Sequence, residues 1–136
     1  MELADTSVWA RKSHSALGAW FISAVEAGDI AGCDMIALEL LHSARNPIEF
    51  DLIEDGLRGL PWIAADGADW TRAREVYRIL GGRPGMAQRS VKHPDLLIAA
   101  AAERAGFTLV HYDADYDTIA EITGQPVRWV APRGSL

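Results

Sequence analysis

Four acidic side chains lie at positions where they could act together on one metal ion. Asp5 follows the predicted first strand, and Asp113 follows a later β-prone run. Asp95 opens an apolar helix, and Glu39 lies within a helix beside Leu40, on the side that leans toward the core. Carboxylates gathered at one edge repel one another and would mostly protonate if left alone. Divalent cations remove this repulsion, and oxygen-only ligands favour the hard ions Mg²⁺ and Mn²⁺.

Such ions are suited to the hydrolysis of phosphodiester bonds. They activate a water molecule and stabilise the leaving oxygen, so the protein needs no nucleophile of its own. The basic residues Arg89 and Lys92 lie shortly before Asp95 and could contact phosphate groups. Taken singly, each of the two is explained at least as well as an ordinary solvated loop charge.

Each acid taken alone also has a structural explanation. Asp5 could cap the helix that follows it, and Asp95 could interact with the dipole of its own helix. Glu39 could be a solvated helix residue, and the acidic run at 113–117 could form a polar turn. The joint placement of these acids, in order and at the ends of elements, favours a common site over the separate explanations.

The elements that would position these acids alternate between strands and helices. Strands are predicted at residues 1–4, 30–33, 61–64, 107–112 and 127–130. Helices are predicted at residues 8–11, 13–27, 34–45, 47–59, 66–80, 94–105 and 114–123. This alternation predicts an α/β fold, a three-layer α/β/α sandwich around a central parallel sheet of four to five strands. Sites in such sheets form beyond the carboxyl ends of the strands where strand order reverses, here after the first and fourth strands.

Length and composition indicate one domain at residues 1–130 and a C-terminal tail at 131–136. The net charge of −6 is unusual for a general nucleic-acid binder and suits a chain that holds cations. It is also common in ordinary cytosolic proteins, so the charge alone does not decide between these functions. Cys33 is the only cysteine, which excludes an internal disulfide and a cysteine-rich zinc site. The chain starts without a signal-peptide pattern, and its longest uncharged apolar stretch, 16–25, is too short to span a bilayer. We therefore expect a cytoplasmic protein with no membrane partner.

Four motifs occur in a fixed order along nearly the whole chain. They are Asp5-Thr6-Ser7-Val8-Trp9, Glu39-Leu40, the run HPDLLIAA from His93 to Ala100, and the run HYDADYDTIA from His111 to Ala120. Each motif alone is weak, because an aspartate after a first strand also occurs in phosphatases and receiver domains. As an ordered set at these spacings, they resemble the PIN-domain ribonucleases, most closely the toxin halves of bacterial VapBC-type toxin–antitoxin pairs.

The resemblance implies a PIN-like fold and an endoribonuclease that depends on Mg²⁺ or Mn²⁺. It implies an acidic quartet with Asp115 as a further ligand or as support for a metal-bound water. The quartet would consist of Asp5, Glu39, Asp95 and Asp113. Thr6 or Ser7 would orient Asp5 or a water. The resemblance also implies an RNA substrate such as tRNA or rRNA, a VapB-type antitoxin that blocks the site, and a homodimer.

Two positions depart from the pattern of the PIN-domain ribonucleases. Glu2 lies in a strand position that is usually apolar, and His111 stands where a small hydroxyl residue is frequent. The second departure leaves open what orients Asp113.

Two other functions compete with the ribonuclease. A Mg²⁺-dependent phosphatase of the haloacid-dehalogenase type would need a second aspartate two residues after Asp5, and Ser7 occupies that place. A PIN-like module that binds RNA or a partner without catalysis is disfavoured by the intact acidic quartet.

Several large apolar residues are predicted to form the core. The expected core anchors are Trp9, Trp62, Trp70 and Trp129. A helical stripe of Leu17, Trp20, Phe21 and Val25 is also predicted as core, although part of it could be a groove for an antitoxin helix. The glycine-rich segment 81–91 is predicted to be a mobile loop.

Overall fold

A five-stranded parallel sheet lies at the centre of the protein. The computed structural model describes all residues from Met1 to Leu136. The strands are β1 (Glu2–Ala4), β2 (Ile30–Cys33), β3 (Trp62–Ile63), β4 (Thr108–His111) and β5 (Val127–Trp129). Their spatial order is β3-β2-β1-β4-β5, and every neighbouring pair is parallel. The chain therefore extends the sheet in one direction from β1 and then crosses to the other side, so strand order reverses between β1 and β4.

Seven α-helices and one 3₁₀ turn connect the strands. The helices are α1 (Thr6–Trp9), α2 (Gly18–Glu26), α3 (Asp34–His42), α4 (Pro47–Arg58), α5 (Gly67–Gly81), α6 (His93–Ala105) and α7 (Asp115–Thr123). The 3₁₀ turn is Ala87–Ser90, within the segment that the sequence predicts as a loop. No helix combines the length and the apolar character that a membrane crossing requires.

Helices cover both faces of the sheet because side chains alternate along each strand. Leu3 and Leu109 point into the larger core, which packs against α3, α5, α6 and α7. Ala4 and Val110 point to the other face, where Val8 of α1 and a residue of α2 cover them. The predicted α/β sandwich with a parallel sheet is confirmed by this arrangement.

Local sequence signals place most element boundaries. Helix α6 has Pro94 in its first turn and ends at Gly106, whose φ of +72° is the left-handed conformation that favours glycine. Helix α2 begins at Gly18, five residues after the predicted start, because residues 10–17 form successive tight turns. Asp34 does not cap α3, since the N-cap is Cys33 and the Asp34 carboxylate accepts the indole N–H of Trp62 instead.

The prediction of a core position is wrong for two of the four tryptophans. The exposed fractions of Trp62 and Trp70 are 41% and 60%. Trp62 lies on the edge strand β3, where no further strand covers it. On α5 the buried residue of the first turn is Asp69, and the next side chain, Trp70, is rotated by about 100° toward solvent.

The C-terminal residues 131–136 return to the sheet edge near β4. The backbone N–H of Leu136 donates to the hydroxyl of Tyr112 over 2.9 Å. Tyr112 in turn packs edge-on against Trp129 of β5. The end of the chain is thus held beside the carboxyl ends of the strands.

Candidate active site

Three carboxylates meet beyond the carboxyl end of β4. One oxygen from each of Asp95, Asp113 and Asp115 lies within 4.8 Å of the other two. Asp113 directly follows the strand, Asp115 begins α7, and Asp95 lies in the first turn of α6. A turn fixes Asp113 and Asp115 relative to each other, because the Asp115 N–H donates to Asp113 Oδ1 over 2.9 Å. The site therefore forms at the reversal of strand order.

Asp95 is the most deeply buried member of this cluster. It is 3% exposed, and its Oδ2 atom has no hydrogen-bond partner. Burial, then the adjacent Asp115 carboxyl and then the charge of Asp5 raise the pKa of Asp95 to about 8. Buried polar atoms almost always have a partner in folded proteins. An unpartnered carboxylate oxygen that faces two other carboxylates is therefore an atom suited to an added ligand.

The ammonium group of Lys92 lies among the same three carboxylates. Its Nζ atom is 2.7 Å from Asp113 Oδ2, 3.3 Å from Asp115 Oδ2 and 3.5 Å from Asp95 Oδ2. The hydrogen bond with Asp113 raises the pKa of Lys92, so the ammonium is charged at neutral pH. Burial raises the pKa of Asp113, but Lys92 and the Asp115 N–H together bring it below its ordinary value.

Tyr116 connects Asp5 to the cluster. Its side chain is fully buried, and its hydroxyl lies 2.5 Å from Asp5 Oδ1 and 3.2 Å from Asp95 Oδ1. The second oxygen of Asp5 accepts the Ser7 N–H over 2.9 Å and so caps α1. Asp5 thus has both the capping role and a place beside the acidic cluster.

The role of Tyr116 is not predicted from the sequence. The available signal was its spacing, since a residue three positions after Asp113 at the start of a helix turns back toward the strand end. Its aromatic ring is equally typical of an ordinary core residue.

Glu39 is held at the edge of the site by Thr6. The Thr6 hydroxyl donates to Glu39 Oε1 over 2.8 Å. Burial raises the pKa of Glu39, the Thr6 hydrogen bond lowers it, and the charge of Asp5 raises it further, with a net upward shift. Glu39 does not belong to the group of three carboxylates that approach within 4.8 Å.

The remaining predicted contact residues have distinct places. The Ser7 hydroxyl accepts the backbone N–H of Tyr112 over 2.9 Å, which joins the residues after β1 to those after β4. Arg89 is exposed on the 3₁₀ turn before α6, outside the carboxylate cluster. Of the two predicted basic residues, the structure brings only Lys92 into contact with the carboxylates.

His111 is the residue that orients Asp113. It is fully buried at the end of β4, and its Nδ1 atom accepts the Asp113 N–H over 3.2 Å. Burial lowers the pKa of His111, which favours the neutral ring. Its Nε2 atom lies 3.7 Å from Asp117 and makes no hydrogen bond. The imidazole thus fixes the backbone that carries Asp113.

The donor set fits a hard divalent cation. Asp95, Asp113 and Asp115 provide only oxygen atoms, and Asp95 Oδ2 lacks any other hydrogen-bond partner. Oxygen-only sets are typical of Mg²⁺ and Mn²⁺ rather than of zinc. These three carboxylates could therefore bind a metal ion.

Comparisons with known proteins give one consistent family. A model of the PIN domain matches residues 3–122. Ribonuclease VapC18 of Mycobacterium tuberculosis is 42% identical over 132 residues, which cover 97% of this chain and 96% of that protein. Ribonuclease VapC51 of the same organism is 40% identical over 134 residues, which cover 98% and 96%.

Solved structures show the same fold at low sequence identity. DNA-bound VapBC from Salmonella typhimurium aligns with a TM-score of 0.71 and 16% identity over 96% of this chain and all of that chain. VapBC2 from Rickettsia felis, bound to a promoter DNA fragment, aligns with a TM-score of 0.69 and 16% identity over 94% and 97%.

Proposed function

This chain belongs to the PIN domain family and, within it, to the VapC ribonucleases, and we propose that it is a metal-dependent endoribonuclease acting as the toxin of a toxin–antitoxin pair. One observation carries the catalytic part of this proposal. Asp95, Asp113 and Asp115 converge within 4.8 Å where strand order reverses, and a buried oxygen of Asp95 has no hydrogen-bond partner there. Such a geometry favours a bound cation over a purely structural role.

The metal site is proposed to use Asp95 and Asp113 directly, with Asp115 as a third carboxylate. Asp5 is coupled to this group through the Tyr116 hydroxyl, and Glu39 borders it. We propose Mg²⁺ or Mn²⁺ as the ion, which would supply Lewis-acid activation of a water and of the phosphodiester.

The protein side chains around the ion would perform positioning and proton transfer. Asp5 is held rigidly, because both of its oxygens accept hydrogen bonds from Ser7 and Tyr116. Glu39 borders the cluster and is proposed to help hold the ion or a second one. Its raised pKa suits it to accept a proton from the attacking water. Such preorganised groups need little rearrangement during the reaction.

RNA binding is proposed to involve the basic residues next to the carboxylate cluster. Arg89 is exposed before α6, and Lys92 contacts the cluster itself. Contacts of this kind with phosphate groups position the strand but do not read its sequence. A choice of tRNA or rRNA as target would therefore depend on the shape of the RNA and on other surface residues.

An antitoxin partner is proposed to lie in the groove between α1, α2, α3 and α4. The groove has a volume of about 460 Å³, and Thr6 and Glu39 lie along it together with apolar Val25, Leu40 and Leu52. Leu17 and Phe21 of the predicted stripe are buried in the core and do not line it. A VapB-type segment bound there would reach the edge of the active site.

Similar solved structures support the antitoxin part of the proposed assembly. Similar structures include a toxin–antitoxin complex from Klebsiella pneumoniae and the two VapBC complexes described above. We propose that this chain likewise pairs with a VapB-type antitoxin. We also propose, from the family resemblance of the sequence, that it forms a homodimer and acts in the cytoplasm.

The experiment that tests the proposed function is digestion of a mixed RNA pool that includes intact tRNA and rRNA. Purified protein is incubated with Mg²⁺ or Mn²⁺, with EDTA, and with EDTA followed by excess metal, and the cut positions are mapped by sequencing the new 5′ ends. We expect discrete cuts that disappear with EDTA and return with metal. RNA that is bound but intact with both metals would instead indicate a catalytically silent binding module.

A further inference from the structure

The position of Lys92 suggests how the metal site behaves before an ion arrives. We propose that Lys92 is an exchangeable counter-cation, whose ammonium group occupies the metal position and leaves when a divalent ion binds. This inference rests on the proposed function, because it assumes that the three carboxylates take up a divalent ion. Metal uptake would then be an exchange of one internal cation for another.

The first support is that the ammonium and the ion would share the same ligands. Lys92 Nζ contacts one oxygen from each of Asp95, Asp113 and Asp115, at 3.5, 2.7 and 3.3 Å. These are the three residues whose oxygens lie within 4.8 Å of one another. A cation bound to all three would lie within the space that Nζ holds, and two cations at so short a distance repel strongly.

The second support is that the ammonium satisfies the carboxylates only in part. It approaches Asp113 to a hydrogen-bond distance, but Asp95 Oδ2 remains 3.5 Å away and without a hydrogen bond. A divalent ion in contact with all three side chains would give Asp95 Oδ2 the partner that it lacks, which favours the exchange.

The third support is that the side chain can leave while the backbone stays in place. The Lys92 N–H donates to Asp115 Oδ2 over 3.3 Å, and the residue directly precedes α6 in an extended conformation. Its side chain is 61% exposed and is a flexible four-carbon stem. Rotation of this stem is therefore enough to move the ammonium into solvent or onto a phosphate group of bound RNA.

A metal-binding measurement tests the exchange with a matched control. The chain has two lysines, and Lys12 is exposed and forms no salt bridge with Asp95, Asp113 or Asp115. Calorimetric titration with Mn²⁺ compares the wild type with Lys92→Met and Lys12→Met, which remove the same charge by the same substitution. We expect Lys92→Met to bind Mn²⁺ about tenfold more tightly, because a competing cation is gone. Lys12→Met should match the wild type.

A second measurement uses the unaltered protein, so it stays informative if Lys92→Met folds poorly. Acetylation by a short pulse of an amine-reactive ester is quantified by mass spectrometry, with Lys12 as the internal reference. The ratio of Lys92 to Lys12 labelling should rise several-fold when Mg²⁺ replaces EDTA, because the ammonium is released from the carboxylates.

The results of these measurements distinguish a failure of the proposed function from a failure of the exchange alone. Wild-type protein that binds neither Mn²⁺ nor Mg²⁺ and cuts no RNA would overturn both the proposed function and the exchange. Metal binding with an unchanged affinity in Lys92→Met, or with an unchanged labelling ratio, would overturn the exchange alone.

Discussion

Two buried aspartates lie near opposite ends of α6 and have very different surroundings. Asp69 packs against the last turn of α6, where Arg104 holds both of its oxygens at 2.8 and 2.9 Å. Asp95 lies in the first turn, where one oxygen shares the Tyr116 hydroxyl and the other makes no hydrogen bond. Both residues are more than 90% buried.

The difference lies in the partner that the chain provides. The guanidinium group of Arg104 is planar and matches the two carboxylate oxygens at once, and it also donates to the carbonyl of Ala64. Asp95 has as its nearest cation the exposed side chain of Lys92, at 3.5 Å. The first arrangement is complete within the chain and serves stability. The second is incomplete, which is what a ligand site requires.

The largest expected effect is a loss of RNA cleavage when the charge of Asp5, next to the Asp95 cluster, is removed. Asp5→Asn keeps a side-chain oxygen for the Ser7 N–H but removes the charge next to the cluster. We expect RNA cleavage with Mn²⁺ to fall by about a hundredfold or more, with the melting temperature nearly unchanged. Cleavage by Asp5→Asn at the wild-type rate would remove Asp5 from the active site.

Substitution of Asp69 is expected to lower stability and to leave RNA cleavage unchanged. Asp69→Asn leaves Arg104 without its carboxylate partner, and we expect a loss of about 2 kcal/mol in unfolding free energy, because Arg104 is only partly buried. This corresponds to a fall of about 8 °C in melting temperature. Thermal unfolding measures the loss, and cleavage per folded molecule should stay at the wild-type level. A large loss of cleavage in the folded variant would make Asp69 part of the active site.

A smaller effect is expected where the two aspartates of the site share one hydroxyl. Tyr116→Phe keeps the buried ring but leaves Asp5 Oδ1 and Asp95 Oδ1 without their common partner. We expect the affinity for Mn²⁺ to fall about tenfold, since groups that orient metal ligands typically contribute this much. Calorimetric titration measures it, and Tyr77→Phe is a control for loss of a tyrosine hydroxyl elsewhere. An equal affinity in the wild type and Tyr116→Phe would show that the hydroxyl does not orient the ligands.

The sequence predicts where the carboxylates of the proposed site lie because local signals place them. Asp5 and Asp113 follow strands, and Asp95 follows the proline that starts α6. Once the sheet is parallel and β1 pairs with β4, Asp5 and Asp113 lie at the same edge of the sheet. The fold class and the reversal of strand order were predictable for the same reason.

The partners of these carboxylates were not predictable from local signals. Lys92 reaches Asp113 across 21 positions, and Arg104 reaches Asp69 across 35. Such pairs depend on how helices pack on the sheet, which periodicity does not specify. The predicted core position of Trp70 is wrong for a related reason. The helical pattern did not show that Asp69, rather than Trp70, would be the buried residue of that turn.

The smallest effect concerns a third buried ionisable group, Cys33, which has no cationic partner. Burial raises the pKa of its thiol to about 11, so almost none of the reactive thiolate is present at pH 8. We expect labelling by a disulfide reagent at pH 8 to require unfolding. Asp69→Asn should therefore speed the labelling of Cys33, and Asp95→Asn should leave it slow. Rapid labelling in the folded wild type would contradict the buried position of Cys33.

Cleavage by Asp95→Asn, measured beside the wild type and Asp69→Asn at equal concentrations of folded protein, tests the central claim most directly. The substrate is the mixed RNA pool, with Mn²⁺ and with EDTA. Our account predicts metal-dependent cuts by the wild type and by Asp69→Asn, and none by Asp95→Asn. Cuts by Asp95→Asn at the wild-type positions and rate would contradict the assignment of the carboxylate cluster as the active site.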